Sequence, residues 1–165
     1  MELEHEFTVP VPVDQAWPVL LDVQRVAPCM PGATLDSVDG DEFTGRLKVK
    51  VGPVQVTYRG NARFKDKDEG AHKVTIEGSG KEARGSGTAS ATVDAQLREQ
   101  GDRTHVTVHT TLNVTGRPAQ FGRNVMAEVG GKIIGQFADC LERQLAGGAE
   151  QPAAPASTAG GQAAT

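Results

Sequence analysis

Aromatic side chains are scarce in this sequence, 4% of 165 residues, with one Trp (Trp17) and one Tyr (Tyr58). A core must therefore be assembled from Val, Leu, Ala and a few Phe, within a hydrophobic fraction of 38%. A basic excess is missing too. The net charge of −4 excludes a general nucleic-acid binder, which needs clustered Lys and Arg for phosphates. Only two cysteines occur, Cys29 and Cys140. They have neither metal-ligand spacing nor the pattern of a disulfide framework, so a reducing compartment is the simple reading. Cys29, beside Met30 and two prolines, reads either as a reactive thiol or as a buried structural residue. No apolar run is long enough to cross a bilayer. The N-terminus, MELEHEFTV, has neither the basic nor the apolar region of a signal peptide. A soluble protein is expected, which is compatible with lying against a membrane.

Catalytic and metal patterns are also absent. His105 and His109 share a strand face but stand roughly 13 Å apart at strand rise, too far for one metal ion. No HExxH, CxxC, EF-hand or GxSxG pattern occurs. GSGKEARGSG (Gly78 to Gly87) has the look of a phosphate loop. It lacks a GK[ST] ending and lies between strands instead of before a helix, so it is discounted. No catalytic residue and no metal site are assigned.

What is present is period. Leu3, His5, Phe7 and Val9 alternate with polar residues, which predicts a half-buried strand. Two short helical stretches follow, over Asp14 to Asp22 and from Val23 to Gly32. From Ala33 to Val114 the period is two throughout, in about six antiparallel strands. The turns fall at Asp39-Gly40, Gly52-Pro53, Asp66 to Gly70 and Gln100 to Asp102. Pro118 to Leu145 then reads as one long helix, with Phe121, Val125, Val129, Ile133, Phe137 and Leu141 on a stripe. Gly130, Gly131 and Gly135 inside it each cost roughly 1 kcal/mol relative to Ala, and something must offset that. The fold class is α+β, a helix-grip: a curved antiparallel sheet of about seven strands around a long C-terminal helix, with two short helices after the first strand. Residues 1–145 form the domain. Residues 146–165 hold only Ala, Gly, Pro, Ser, Thr, Gln and one Glu, the composition of a disordered linker or tail.

Small residues, Gly78, Gly80, Gly87, Ala89 and Ala91, occupy part of the inner face, opposite Gly131 and Gly135 of the helix. Either the backbones approach closely, or a gap remains for an apolar ligand. The lining would be Met30, Leu47, Val49, Val51, Val54, Val56, Phe64, Phe121, Val125, Met126 and Val129, with Tyr58 as the polar handle for a carbonyl. The other reading of these residues is plain core. On the outer face the hairpin at Gly52-Pro53 sets Arg46 opposite Arg59, beside Lys48, Lys50 and Arg63. That face meets anionic lipid or an acidic partner, or is simply solvated.

VAPCMPGA (Val26 to Ala33), YRGNARF (Tyr58 to Phe64), GSGTASA (Gly85 to Ala91) and TGRPAQFGRNVM (Thr115 to Met126) together resemble the CoxG family of carbon monoxide dehydrogenase subunits, within the START-like (SRPBCC) superfamily. The order and spacing match across about residues 1 to 145. The resemblance implies a non-catalytic companion of a molybdenum carbon monoxide dehydrogenase. It implies recruitment of that enzyme to the cytoplasmic membrane, and a respiratory quinone, menaquinone-like, or other prenyl lipid in the grip, with no covalent cofactor. The expected location is cytoplasmic, peripheral at the inner face of that membrane. Members often end in a linker and a membrane-binding segment; here no such segment follows Thr165. The expected function is a quinone carrier. The alternatives are a docking factor without ligand transport, and a START-like enzyme acting on a hydrophobic substrate. The last is disfavoured by the absence of an acid–base pair on the inner face.

Overall fold

A computed structural model describes residues 1–150, with side chains through Leu145; the expected linker from Gln151 onward lies outside the described residues. The chain order is β1 (Glu2–Val9), α1 (Val13–Leu20), α2 (Val23–Val26), a 3-10 turn (Ala27–Cys29) and β2 (Ala33–Asp39). Then follow β3 (Glu42–Val51), β4 (Val54–Asp68), β5 (Lys73–Glu82), β6 (Thr88–Gln100) and β7 (Arg103–Val114), a 3-10 turn (Arg117–Gln120) and α3 (Arg123–Glu150). All seven strands form one antiparallel sheet in the order β1-β7-β6-β5-β4-β3-β2. Every strand after β1 therefore pairs with its chain neighbour, and β1 closes on β7.

Alternation decides the faces. Leu3, Phe7 and Val9 of β1, Val106 and Val108 of β7, Leu97 of β6, Val74 of β5 and Phe64 of β4 point to one side. They meet Ala16, Trp17 and Val19 of α1 and Leu141 and Leu145 of α3 in a single buried cluster. This core fills one end of the fold, where α1, α2 and the C-terminal half of α3 converge. Thr104, fully buried there, donates its hydroxyl to the Val11 carbonyl at 2.9 Å, which removes the penalty of an unpaired polar group.

Helix α3 begins later than the pattern predicts. Pro118 sits inside the 3-10 turn and Phe121 is extended (φ −88°, ψ 140°). The first α-helical bond is donated by Met126 N–H to the Gly122 carbonyl, 3.1 Å. The predicted stripe is corrected as well. A step of four residues advances 400°, so a strict i+4 row drifts about 40° per step around the helix. The buried side is instead Met126, Leu141 and Leu145, with Phe137 packed on the core. Val125 and Val129 lie on a half-buried flank.

The cysteine reading is overturned. Cys29 and Cys140 form a disulfide between the 3-10 turn and α3, with Cα atoms 5.3 Å apart. A separation of 111 residues has no local signature, and only the packing of α3 over the 3-10 turn brings the pair together. Gln144 strengthens the junction, donating to the Arg25 carbonyl at 3.2 Å. Cys29 is buried and bonded, so it is not a reactive thiol, and the ground for expecting a reducing compartment is gone.

Candidate ligand-binding site

The other end of the sheet is built around the β3–β4 hairpin. Val51 pairs with Val54, and the register then sets Val49 against Val56 and Leu47 against Tyr58. All six therefore share the inner face. Gly52 turns the chain at φ +59°, and a Cβ there would come within 3.0 Å of the Phe121 ring. The glycine thus provides both the left-handed turn and room for the aromatic ring that docks on the hairpin. Met30 borders the same end, because the Gly32 carbonyl accepts from Lys48 N–H at 2.9 Å and holds the Met30-Pro31-Gly32 turn against β3.

These predicted residues do not all stand together. Leu47, Val49, Val51, Val54, Val56, Tyr58 and Phe121 form one group at the hairpin end. Phe64 belongs to the opposite end, packed in the core with its ring centroid 5.9 Å from that of Phe43. Met126 and Phe121 line a cavity of about 180 Å3 with Leu112 and Val114 of β7, Pro118 and Met1. Sequence reasoning missed the β7 and Pro118 contributions; alternation along β7 put Leu112 and Val114 inward, but nothing showed that the chain beyond would fold back over them. Val129 stands eleven residues before Cys140, three helical turns, so both project from one side of α3. That side faces the 3-10 turn across the grip.

Between the two packed ends the inner face is made of small residues in register. Ala62 pairs with Gly78 and Gly78 with Ala91; Gly60 pairs with Gly80 and Gly80 with Ala89. The nearest atoms that a Cβ at Gly78 or Gly80 would meet belong to β4, at 3.4 Å and 3.2 Å, and not to α3. The helix glycines look elsewhere. A Cβ on Gly130 would meet the His5 ring at 3.0 Å and one on Gly131 at 3.8 Å, while Gly135 has nothing within 4 Å. His5 also makes a 3.4 Å contact with the Ala127 carbonyl. The predicted opposition of sheet and helix glycines is thus corrected. Gly130 and Gly131 serve close approach of α3 to β1, and the small rows of the sheet remain uncovered. Gly87 is corrected too: it precedes β6, buried in the β5–β6 loop. The inner face accordingly has a trough walled by Leu47, Val49, Val56 and Phe121, all at least half buried.

One charged residue lies on this face. Glu82 is the register partner of Tyr58, and its carboxylate rests against Gly85, Gly87 and Gly116. Burial first, and the Glu82 charge second, push the Tyr58 phenol above its ordinary value of 10.0. The expectation that no acid–base pair faces inward is therefore corrected.

The outer face carries the predicted cations. Arg46 lies opposite Arg59, and Arg59 lies opposite Lys81. Arg46 is paired with Asp36 at 3.0 Å and Arg63 with Glu77 at 3.0 Å. Bonds from Lys65 and Arg63 hold the Glu77 carboxyl below its ordinary value. Among the described residues Lys48, Lys50, Arg59 and Lys81 have no ion-pair partner. The larger surface depression, about 360 Å3, is also on this face, lined by Asn61, Arg63, Glu77, Ser79, Ser90 and Asn113 among others. Its polar lining does not suit an apolar guest.

A curved antiparallel sheet gripping a C-terminal helix, with an apolar trough between them, defines a START-like helix-grip protein. The chain belongs to the CoxG family of carbon monoxide dehydrogenase subunits, whose profile matches residues 6–146. It is similar to a conserved protein from Geobacillus kaustophilus, with a TM-score of 0.79 and 18% identity over 89% of this chain and 96% of that one. It is also similar to the Zhui aromatase/cyclase of Streptomyces sp. R1128, with a TM-score of 0.61 and 16% identity over 88% and 95% of the two chains. Norcoclaurine synthase from Thalictrum flavum shares the architecture at a TM-score of 0.57 and 14% identity, over 88% of this chain and 86% of that one. At these identities the likeness carries the fold alone. No curated protein sequence matches the chain significantly. No helix among the described residues is long and apolar enough to cross a membrane.

Proposed function

We propose that the protein is a non-catalytic carrier of a hydrophobic ligand. In the finer form of this reading the ligand is a menaquinone-like respiratory quinone, exchanged between the cytoplasmic membrane and a molybdenum carbon monoxide dehydrogenase. The carrying observation is the uncovered row of small residues, Gly78, Gly80, Ala89 and Ala91, on an inner face where the helix glycines pack elsewhere. An apolar concavity exposed to water is costly, at about 25 cal/mol per Å2, and an apolar guest removes that cost. The family supports the companion role: its members are described as a subunit of carbon monoxide dehydrogenase. Leu47, Val49 and Val51 from the sheet, with Phe121, Val125 and Val129 from the C-terminal segment, would pack a ring and prenyl tail. An enzyme of the same superfamily is the weaker reading, even with Tyr58 and Glu82 facing inward, because the family description is that of an accessory component.

A second reading is supported by the row Arg46, Arg59 and Lys81, like charges set directly across three strands at a cost to the sheet. In that reading the domain docks the dehydrogenase on an anionic membrane, and the trough is incidental. Transfer and recruitment separate the two. Val129→Trp should abolish uptake of menaquinone from neutral liposomes and leave recruitment of the enzyme to anionic liposomes intact. Reversal of Arg46, Lys48 and Arg59 to Glu should do the opposite. Quinone uptake undiminished by Val129→Trp would remove the trough from the account.

A further inference from the structure

We propose that Glu82 is a ligand-contacting hydrogen-bond acceptor, and that with Tyr58 it makes the grip select a ring bearing a hydroxyl over the same ring bearing only carbonyl or ether oxygens. The proposal rests on the carrier reading above. Glu82 ends β5 and lies directly across from Tyr58, which in turn lies across from Leu47. Both polar groups therefore stand in one row of an otherwise apolar inner face.

The position of the carboxylate is built by its neighbours. A Cβ at Gly87 would collide with Oε2, one at Gly116 would come within 2.7 Å of it, and one at Gly85 within 2.9 Å of Oε1. Three glycines from two loops thus leave room for a single side chain. Gly116, at φ +91°, takes a backbone conformation that L side chains rarely adopt. The surrounding chain is fixed: Glu82 N–H donates to the Gly87 carbonyl at 2.9 Å, Thr115 N–H to the Thr88 carbonyl at 2.9 Å, and Thr88 N–H to the Thr115 hydroxyl at 2.8 Å. Among the described residues no side chain donates to the Glu82 carboxylate, and no cation pairs with it.

A half-buried carboxylate needs donors from somewhere. It accepts only, whereas a phenol both donates and accepts. A ligand atom lying between the two is best satisfied as a hydroxyl, which donates to Glu82 and accepts from Tyr58. A carbonyl or ether oxygen satisfies Tyr58 but faces the carboxylate lone pairs without a proton. Applied to a quinone couple, this favours the dihydroxy form.

The test is calorimetric titration of the full chain with 1-naphthol and with 1-methoxynaphthalene, redox-inert probes that differ by one donor hydrogen. A hydroxyl bound to a carboxylate gains roughly tenfold to a hundredfold in affinity, so the wild-type chain should prefer 1-naphthol by about that factor. Glu82→Gln, which keeps the shape of the side chain, should lose most of the preference and leave 1-methoxynaphthalene affinity unchanged. If that variant fails to fold by circular dichroism, the wild-type ratio decides alone. Equal binding of the two probes, or a preference that survives in a folded Glu82→Gln, overturns the proposal and leaves the carrier reading standing. Binding of neither probe overturns both.

Discussion

Tyr58 is the only tyrosine in the chain, so its phenolate absorbance titrates without interference. Burial and the Glu82 charge both disfavour the phenolate. The titration midpoint of the native protein should therefore lie above 10, and Glu82→Gln should lower it while leaving it above the ordinary value, because burial is the larger cause. A wild-type midpoint at or below 10 would contradict the placement. A phenol whose folded value is raised contributes stability below its unfolded value and loses it as pH rises through the folded one. The loss accordingly falls in the alkaline range above about 10, and at neutral pH Tyr58 is a donor. The helix glycines give a second contrast at this scale. Gly135 is exposed with nothing within 4 Å, so Gly135→Ala should stabilise by about 1 kcal/mol. Gly130 meets the His5 ring, and Gly130→Val should destabilise by about 1–3 kcal/mol through overpacking. Denaturant midpoints measured side by side decide both. The presence of glycines in the helix was legible in the sequence. Their partner was not, because His5 lies on a strand 125 residues earlier than Gly130 and faces the helix only through the closure of β1 on β7.

Among the elements, the sheet was the most legible part. With a period of two, a one-residue slip would turn every apolar side chain to water. Gly52-Pro53 therefore set Val51 against Val54, and that one pairing carried the register back to Arg46 and Arg59. The long helix was legible in existence but not in orientation, since an i+4 row drifts around an axis of 3.6 residues per turn. The bond from α3 to the 3-10 turn had no local signal at all. It closes a loop of 111 residues, for which chain entropy predicts a stabilisation of roughly 4–5 kcal/mol. Urea unfolding with and without reductant should show a loss on that scale. Equal midpoints, with the thiols shown to be reduced, would contradict a structural role for Cys29 and Cys140.

At the scale of the whole molecule, the fold consists of two packed ends and an open middle. Trp17, Leu97, Val106 and Leu141 close one end. Phe121 on the hairpin, with Met126 and Pro118, closes the other. Of the expected lining, the residues on β3 and β4 near the hairpin assembled as a group because they share one turn. Phe64 did not, because ten residues of strand separate it from Val54 and carry it into the core. Glu82 was missed because its glycines have the spacing of a failed phosphate loop, and because Gly116, which completes the cradle, belongs to a different loop. The middle of the fold is on this view a place for an apolar molecule. The most direct test is solvent extraction and mass spectrometry of the full chain, purified without detergent from a host that makes menaquinone. The expected result is a co-purifying menaquinone or other prenyl lipid in near-stoichiometric amount, and much less of it in Val129→Trp. A folded wild-type protein that carries no prenyl lipid, and takes none up from menaquinone-loaded liposomes, would contradict the account.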